Sequence, residues 1–228
     1  MKKIISTLLC AAMAIGLCAC SGASGTGDDN KSASEDAENA AAVAAESGDT
    51  LMENKGETTQ IVSTDKGDVE GFVATASNGE SVYCYFGIPY AEAPVGDLRW
   101  KDAVEKSAWE GTLDCTAGIT DQPSSYQWGT NLLPYFETLN ESEDCLYLNV
   151  ITPSQSKGDD LPVIVWFHGG GLFGGSGSEE IYNKADLPTQ GCVIVTVTHR
   201  LGAFGLLSAD LLGSEEGSSD AGNFMMSD

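Results

Sequence analysis

The chain has 228 residues, of which 34 are acidic and 11 basic, giving a formal net charge of −23. Charge of that sign repels nucleic acid and anionic lipid, so neither is expected as a partner of the folded part. With two histidines in the whole chain and no C-x-x-C pair beyond residue 20, a structural zinc site is not expected, nor is any other cofactor or metal.

Residues 1–20 read as an export signal. Lys2 and Lys3 precede an apolar run from Ile4 to Leu17, too short for an ordinary membrane span, which ends in Leu17-Cys18-Ala19-Cys20. This ending resembles a bacterial lipobox, whose last cysteine becomes the lipidated first residue of the mature protein. Cys20 is therefore the expected membrane anchor, with the extracytoplasmic face of the cell membrane as the expected location. A simple secretory signal with incidental cysteines is the other reading of the same residues. Residues 21–57 are rich in Ser, Gly, Ala, Asp and Glu, with almost no large apolar side chain before Leu51. Such a stretch cannot bury enough surface to offset its ordering entropy and is expected to be a disordered tether.

Residues 58–228 are expected to form an α/β body that opens with antiparallel strands. Gln60 to Ser63 and Val69 to Ala76 read as short strands, and Asn78-Gly79 is a hairpin turn signal leading into Ser81 to Phe86. From Phe86 to Trp100, glycine and proline spacings predict an ordered but irregular loop. Tyr126, Trp128, Tyr135 and Phe136 are scattered among polar residues, as in a loop that borders a pocket or packs on the body. Glu143 to Val150 alternates as a strand preceded by two acids. Of the four cysteines in the body, Cys84 and Cys192 lie in apolar strand patterns and read as small core residues.

Leu161 to Gly175, LPVIVWFHGGGLFGG, is the centre of the body. Val163 to Phe167 is apolar without alternation, which predicts a strand buried on both faces. The run stops in Gly169, Gly170 and Gly171, where missing Cβ atoms let backbone N–H groups approach a ligand closely. A glycine loop of the H-G-G-G type after a strand supplies half of the oxyanion hole in lipases and esterases. The same glycines satisfy G-x-G-x-x-G, but no acidic residue lies between Asp186 and Asp210 to hold a ribose hydroxyl, which leaves only an NADP-type arginine for a dinucleotide site. A phosphate loop fails because no Lys-Ser or Lys-Thr follows. Tyr182 to Gln190 is predicted as a short helix, Cys192 to Thr198 as the next buried strand and Leu201 to Ser208 as an apolar loop. Strand, crossover and strand imply a parallel pair, with the strand near Cys192 as the open edge.

Four blocks, FGIPYAEAPVGDLRW, EDCLYLNV, VIVWFHGGGLFGG and HRLGAFGLLS with GNF beyond it, resemble in order the type-B carboxylesterase family of cholinesterase-like α/β-hydrolases. The resemblance implies an α/β-hydrolase fold in which Gly170 and Gly171 donate two oxyanion-hole amides and His168 and Gly169 shape the loop. It also implies a structural salt bridge between Arg99 and Glu143, and it leaves open a disulfide between Cys115 and Cys145. The chain departs from the family at Thr198-His199-Arg200, where Asn-Tyr-Arg is usual, and at Met225, where glycine is common. G-x-S-x-G occurs nowhere, since Ser176 has Gly174 two before it but Ser178 two after, and neither histidine matches the triad base. The expectation is thus the amino-terminal part of an exported serine esterase acting on a small carboxylic ester. The catalytic Ser, acid and His are expected downstream, and the fragment itself is expected to be inactive. The alternative is a non-catalytic, neuroligin-like binding module on the same fold.

Overall fold

The computed structural model describes residues 51, 55–117, 123–125, 140–156, 158–207 and 223–228. The signal, Cys20, most of the tether and the loop with Tyr126, Trp128, Tyr135 and Phe136 lie outside the described residues. All described residues fall in one unit, Asp49–Asp228.

Strands β1 (Lys55–Ser63), β2 (Asp68–Thr75) and β3 (Ser81–Pro89) form an antiparallel meander. The predicted turn closes β2 onto β3: Gly79 has φ +84° and donates its N–H to Ala76 O at 2.9 Å, while Ala76 N donates to Glu80 O at 2.8 Å. Positive φ at the last residue of the three-residue loop Ser77-Asn78-Gly79 is why glycine sits there. Strand β4 (Thr112–Asp114) adds to β2 in parallel, and β5 (Pro123–Ser125) pairs in parallel with β6 (Asn140–Ser142) as a separate two-stranded ribbon. The main sheet continues through β7 (Tyr147–Thr152), β8 (Val163–Phe167) and β9 (Val193–Val197) in the order β1-β2-β3-β7-β9-β8.

As the sequence led us to expect, β8 and β9 are parallel, with Val163 opposite Val193 and Phe167 opposite Val197. The crossover places β9 inside, antiparallel to β7, so the outermost strand of this order is β8 and not the strand after Cys192. That position also reverses the expected burial of β8, whose five side chains are 44–65% exposed. An unalternating apolar run is buried only where elements cover both of its faces. Among the described residues β8 has β9 beside it and no strand on its other edge.

The core lies against β2, β3, β7 and β9. Phe72 and Phe86 meet edge to face with centroids 5.4 Å apart, among Val82, Cys84, Ile151, Cys192 and Ile194. Cys84 and Cys192 are thus core residues, as predicted. Val69, Tyr85 and Cys115 form a second cluster.

Two local predictions fail for identifiable reasons. In place of a helix over Tyr182–Gln190 there are two 3-10 turns, Glu180–Tyr182 and Pro188–Gln190. Pro188 has no N–H to donate and its ring obstructs the preceding turn, while Gly191 at φ +87° ends the second turn in a left-handed residue. In place of a loop after Leu201 there is a single helical turn, α1 (Gly202–Leu206). Strand β7 starts four residues later than expected, which leaves Glu143 outside the ladder and available to Arg99.

Candidate active site

The glycine loop begins where β8 stops. His168 is 8% exposed, and its Nδ1 lies 2.8 Å from Gly169 O, which assigns the ring proton to Nδ1. Its ring stacks on that of His199 with centroids 4.5 Å apart and an interplanar angle of 5°. Burial away from water, the largest influence, lowers the His168 pKa to about 4, so the ring is neutral at pH 7.

Gly170 has φ +135°, Gly171 +65° and Leu172 +70°. The chain then turns back: Gly174 N donates to Gly170 O at 3.1 Å and Phe173 N to the same oxygen at 3.4 Å. The return leg packs closely on the outgoing one. A Cβ on Gly170 would fall 1.9 Å from Gly174 O, and one on Gly175 would fall 2.3 Å from Gly169 O and 2.4 Å from His168 Nδ1. By contrast, a Cβ on Gly169 would meet nothing within 4 Å. The turn engages the carbonyl of Gly170 and leaves its amide out. Among the described residues, neither Gly170 N–H nor Gly171 N–H donates a hydrogen bond. Adjacent unpartnered amides on a rigid turn can stabilise negative charge on an oxygen placed before them.

What holds the loop rigid is a buried polar network that sequence reasoning missed. Gly174 to Ser178 are buried. Thr198 Oγ1 accepts from Gly177 N at 3.1 Å and lies 3.3 Å from Ser176 Oγ. Asn183 Nδ2 donates to Gly177 O at 2.8 Å, and its Oδ1 accepts from Thr196 Oγ1 at 3.0 Å. Asn149 Nδ2 donates to Thr196 Oγ1 at 3.1 Å, while Asn149 Oδ1 accepts from Gly87 N at 2.9 Å. Satisfied polar groups at this depth fix one geometry, because breaking any link strands a buried donor or acceptor. The available signal was the polar residues inside apolar strands: Asn149 in LYLNV, and Thr196 and Thr198 in CVIVTVT. Ser176 serves here as a loop anchor.

A second set of contacts ties the loop to α1. Gly202 N donates to Leu172 O at 2.8 Å, holding Leu172 in its left-handed conformation. Trp100 donates from Nε1 to Ala203 O at 3.1 Å and stacks on Phe204, centroids 6.2 Å apart. The Arg99 guanidinium lies over Trp100 and reaches Glu143 through two bonds, Nε to Oε2 at 2.5 Å and Nη2 to Oε1 at 2.8 Å. These two side chains are 37% and 27% exposed, so the pair sits at the surface margin. The depression beside it, bordered by Arg99, Trp100, Glu143 and Phe204, includes no residue of the glycine loop.

Among the described residues a fully buried ion pair joins Arg200 to Asp228, whose side chains are 2% and 0% exposed. Arg200 Nε donates to Asp228 Oδ2 at 2.9 Å, Arg200 N to the same oxygen at 3.0 Å, and Arg200 Nη1 to Lys101 O at 2.7 Å. This pair fixes the residue next to His199. The bridge left open between Cys115 and Cys145 is not formed: the two are buried in separate clusters, and Cys84 and Cys192 are not bridged either. Among the described residues, no group of three His, Cys, Asp or Glu side chains is placed to hold a metal ion.

Comparison with known proteins agrees with this architecture. Residues 58–228 match the sequence profile of the carboxylesterase family. The para-nitrobenzyl esterase of Bacillus subtilis (strain 168) is 44% identical over 153 residues, which is 66% of this chain and 29% of that protein. The fumonisin B1 esterase of Sphingopyxis macrogoltabida is 36% identical over 172 residues, 72% of this chain and 29% of that protein. Among solved structures, the carboxylesterase EST55 of Geobacillus stearothermophilus superposes with a TM-score of 0.59 at 32% identity, over 73% of this chain and 32% of that one. A PNB esterase superposes at 0.60 with 37% identity, over 75% of this chain and 33% of that one. The chain thus spans less than a third of the length of these curated relatives, and its sheet is part of an α/β-hydrolase fold.

Proposed function

The chain belongs to the carboxylesterase family, and from that premise we propose that it supplies the oxyanion-binding part of a serine carboxylic ester hydrolase. The observation that carries this reading is the pair of unpartnered amides at Gly170 and Gly171, set on a turn with little freedom to rearrange. When a serine oxygen attacks an ester carbonyl, the carbonyl oxygen becomes an anion, and donors already in place stabilise it without reorganising. A histidine takes the serine proton and delivers it to the leaving alcohol. Water then repeats the attack on the acyl-enzyme.

In this proposal the serine, the acid and the catalytic histidine lie beyond Asp228, so the 228-residue chain alone does not turn over ester. The substrate class is a small neutral carboxylic ester, with the acyl and alcohol groups undefined by these residues. A protein extended through the downstream reading frame should hydrolyse p-nitrophenyl acetate with a burst of p-nitrophenol, while the chain ending at Asp228 should match buffer. A folded, extended protein with no burst and no turnover would overturn the hydrolase reading in favour of a binding module.

We also propose that the chain is exported and held at the membrane by a lipid on Cys20. Among the described residues, no helix is long and apolar enough to cross a membrane. Metabolic palmitate labelling should be lost in Cys20→Ala, and labelling that persists in that variant would remove the anchor.

A further inference from the structure

We propose that the stacked rings of His168 and His199 are an acid-released post for the glycine loop, keeping it closed while His168 is neutral and letting it open when His168 takes a proton. This concerns the loop itself and does not depend on the ester chemistry, so its failure and the failure of the hydrolase reading can be told apart.

The geometry gives His168 nowhere to put a second proton. Its Nδ1–H is committed to Gly169 O, and its Nε2 is buried with no hydrogen-bond partner. A neutral acceptor nitrogen without a partner costs little at such a site compared with a cation whose new N–H points at nothing. His199, at the end of β9, covers the ring face at 4.5 Å, and its Nδ1 lies 3.0 Å from Arg200 O. A charge on one ring therefore opposes a charge on the other.

The groups that act on His168 are the Gly169 carbonyl, which favours the proton, and His199, which opposes it. No carboxylate is among them. The neighbouring Arg200 guanidinium is occupied by Asp228. Displacing the His168 ring must disturb the loop, because Gly169 O lies 2.8 Å from its Nδ1 and even a Cβ on Gly175 would fall 2.4 Å from the same nitrogen. Those two residues bracket Gly170 and Gly171.

Burial holds the His168 pKa near 4 in the closed loop against 6.5 in an exposed ring. A base with a depressed pKa binds fewer protons when closed, so closure is fully favoured above pH 6.5 and weakens as pH falls. The closing equilibrium should drop by up to about tenfold per pH unit between 6.5 and 4.

The sequence contains two histidines, so ring nitrogen resonances of the whole chain can be followed from pH 7 to pH 3.5 and assigned with one variant. We expect His168 to be a neutral Nδ1–H tautomer at pH 7 and to titrate below 6.5, between that value and about 4, because opening raises the affinity of the ring for its proton. The amides of Gly170, Gly171 and Gly175 should move at the same midpoint, before far-UV circular dichroism changes. In His199→Phe, which keeps a ring face and removes the imidazole that opposes a proton on His168, the midpoint should rise. The proposal is overturned by His168 titrating near 6.5, by glycine amides that stay still when it titrates, or by amides that move only with global unfolding. An unchanged midpoint in folded His199→Phe would also overturn it, and the wild-type titration decides the matter should that variant not fold.

Discussion

Gly170→Ala is expected to collapse the glycine loop, whereas Gly169→Ala, one position earlier, is expected to leave it intact. The methyl at 170 would stand 1.9 Å from Gly174 O and 2.5 Å from Gly174 C. Both are backbone atoms of a buried residue, so they cannot give way as a flexible side chain would. The backbone at 170 also has φ +135°, a conformation that costs an L-residue about 1–3 kcal/mol before any clash is counted. At 169 the φ is ordinary and a methyl meets open space, so alanine there should be neutral or stabilising by about 0.4–1 kcal/mol. Amide spectra of the two variants separate the cases. Gly170→Ala should lose or displace the resonances of residues 168–175, and Gly169→Ala should move only its neighbours. Equal behaviour of the two would contradict the packed return leg.

The second large effect belongs to Arg200 and Asp228. Removing one partner of a buried pair leaves the other charge in a medium that cannot solvate it, with a typical cost of about 3–5 kcal/mol. Against a whole-domain stability of about 5–15 kcal/mol, that is enough to unfold a marginal body. Asp228→Asn keeps the shape and removes the charge, so it should fall in this range in urea unfolding. The double variant Arg200→Met with Asp228→Asn should recover part of the loss, because no uncompensated charge then remains. A loss below about 1 kcal/mol in the single variant would show that the pair is solvated and not buried.

The Arg99–Glu143 pair has similar geometry but a margin position, and there water screens the interaction. The two pairs are alike in chemistry and unlike in depth. Depth is what the sequence could not report: both arginines lie near apolar blocks, and the partner of Arg200 is 28 residues away at the far end of the chain.

The local part of the fold was legible because its causes are local. Asn78-Gly79 specifies its own turn, and the glycines after Phe167 specify where β8 must stop. The parallel pairing of β8 and β9 followed from chain length between two apolar runs. Features set by topology were not legible. The composition of β8 says that it wants burial, but only the strand order says that it is outermost with β9 at one side. Pro188 was a local signal that should have stopped the predicted helix. The stack of His168 on His199 and the anchoring of Ser176 by Thr198 join residues 31 and 22 positions apart, and no periodicity connects them. The candidate site itself was readable as glycines and a histidine, while the network that makes the turn rigid was hidden among strand residues whose polarity looked incidental.

The most direct test of the central claim replaces Gly171 by glycolic acid in the protein extended through the downstream reading frame, turning one N–H into an ester oxygen while keeping the achiral backbone. If that amide stabilises the oxyanion, kcat should fall by about 10²–10³-fold with KM little changed. A folded variant with wild-type kcat would contradict the assignment of the Gly171 amide and with it the account of the glycine loop as an oxyanion site.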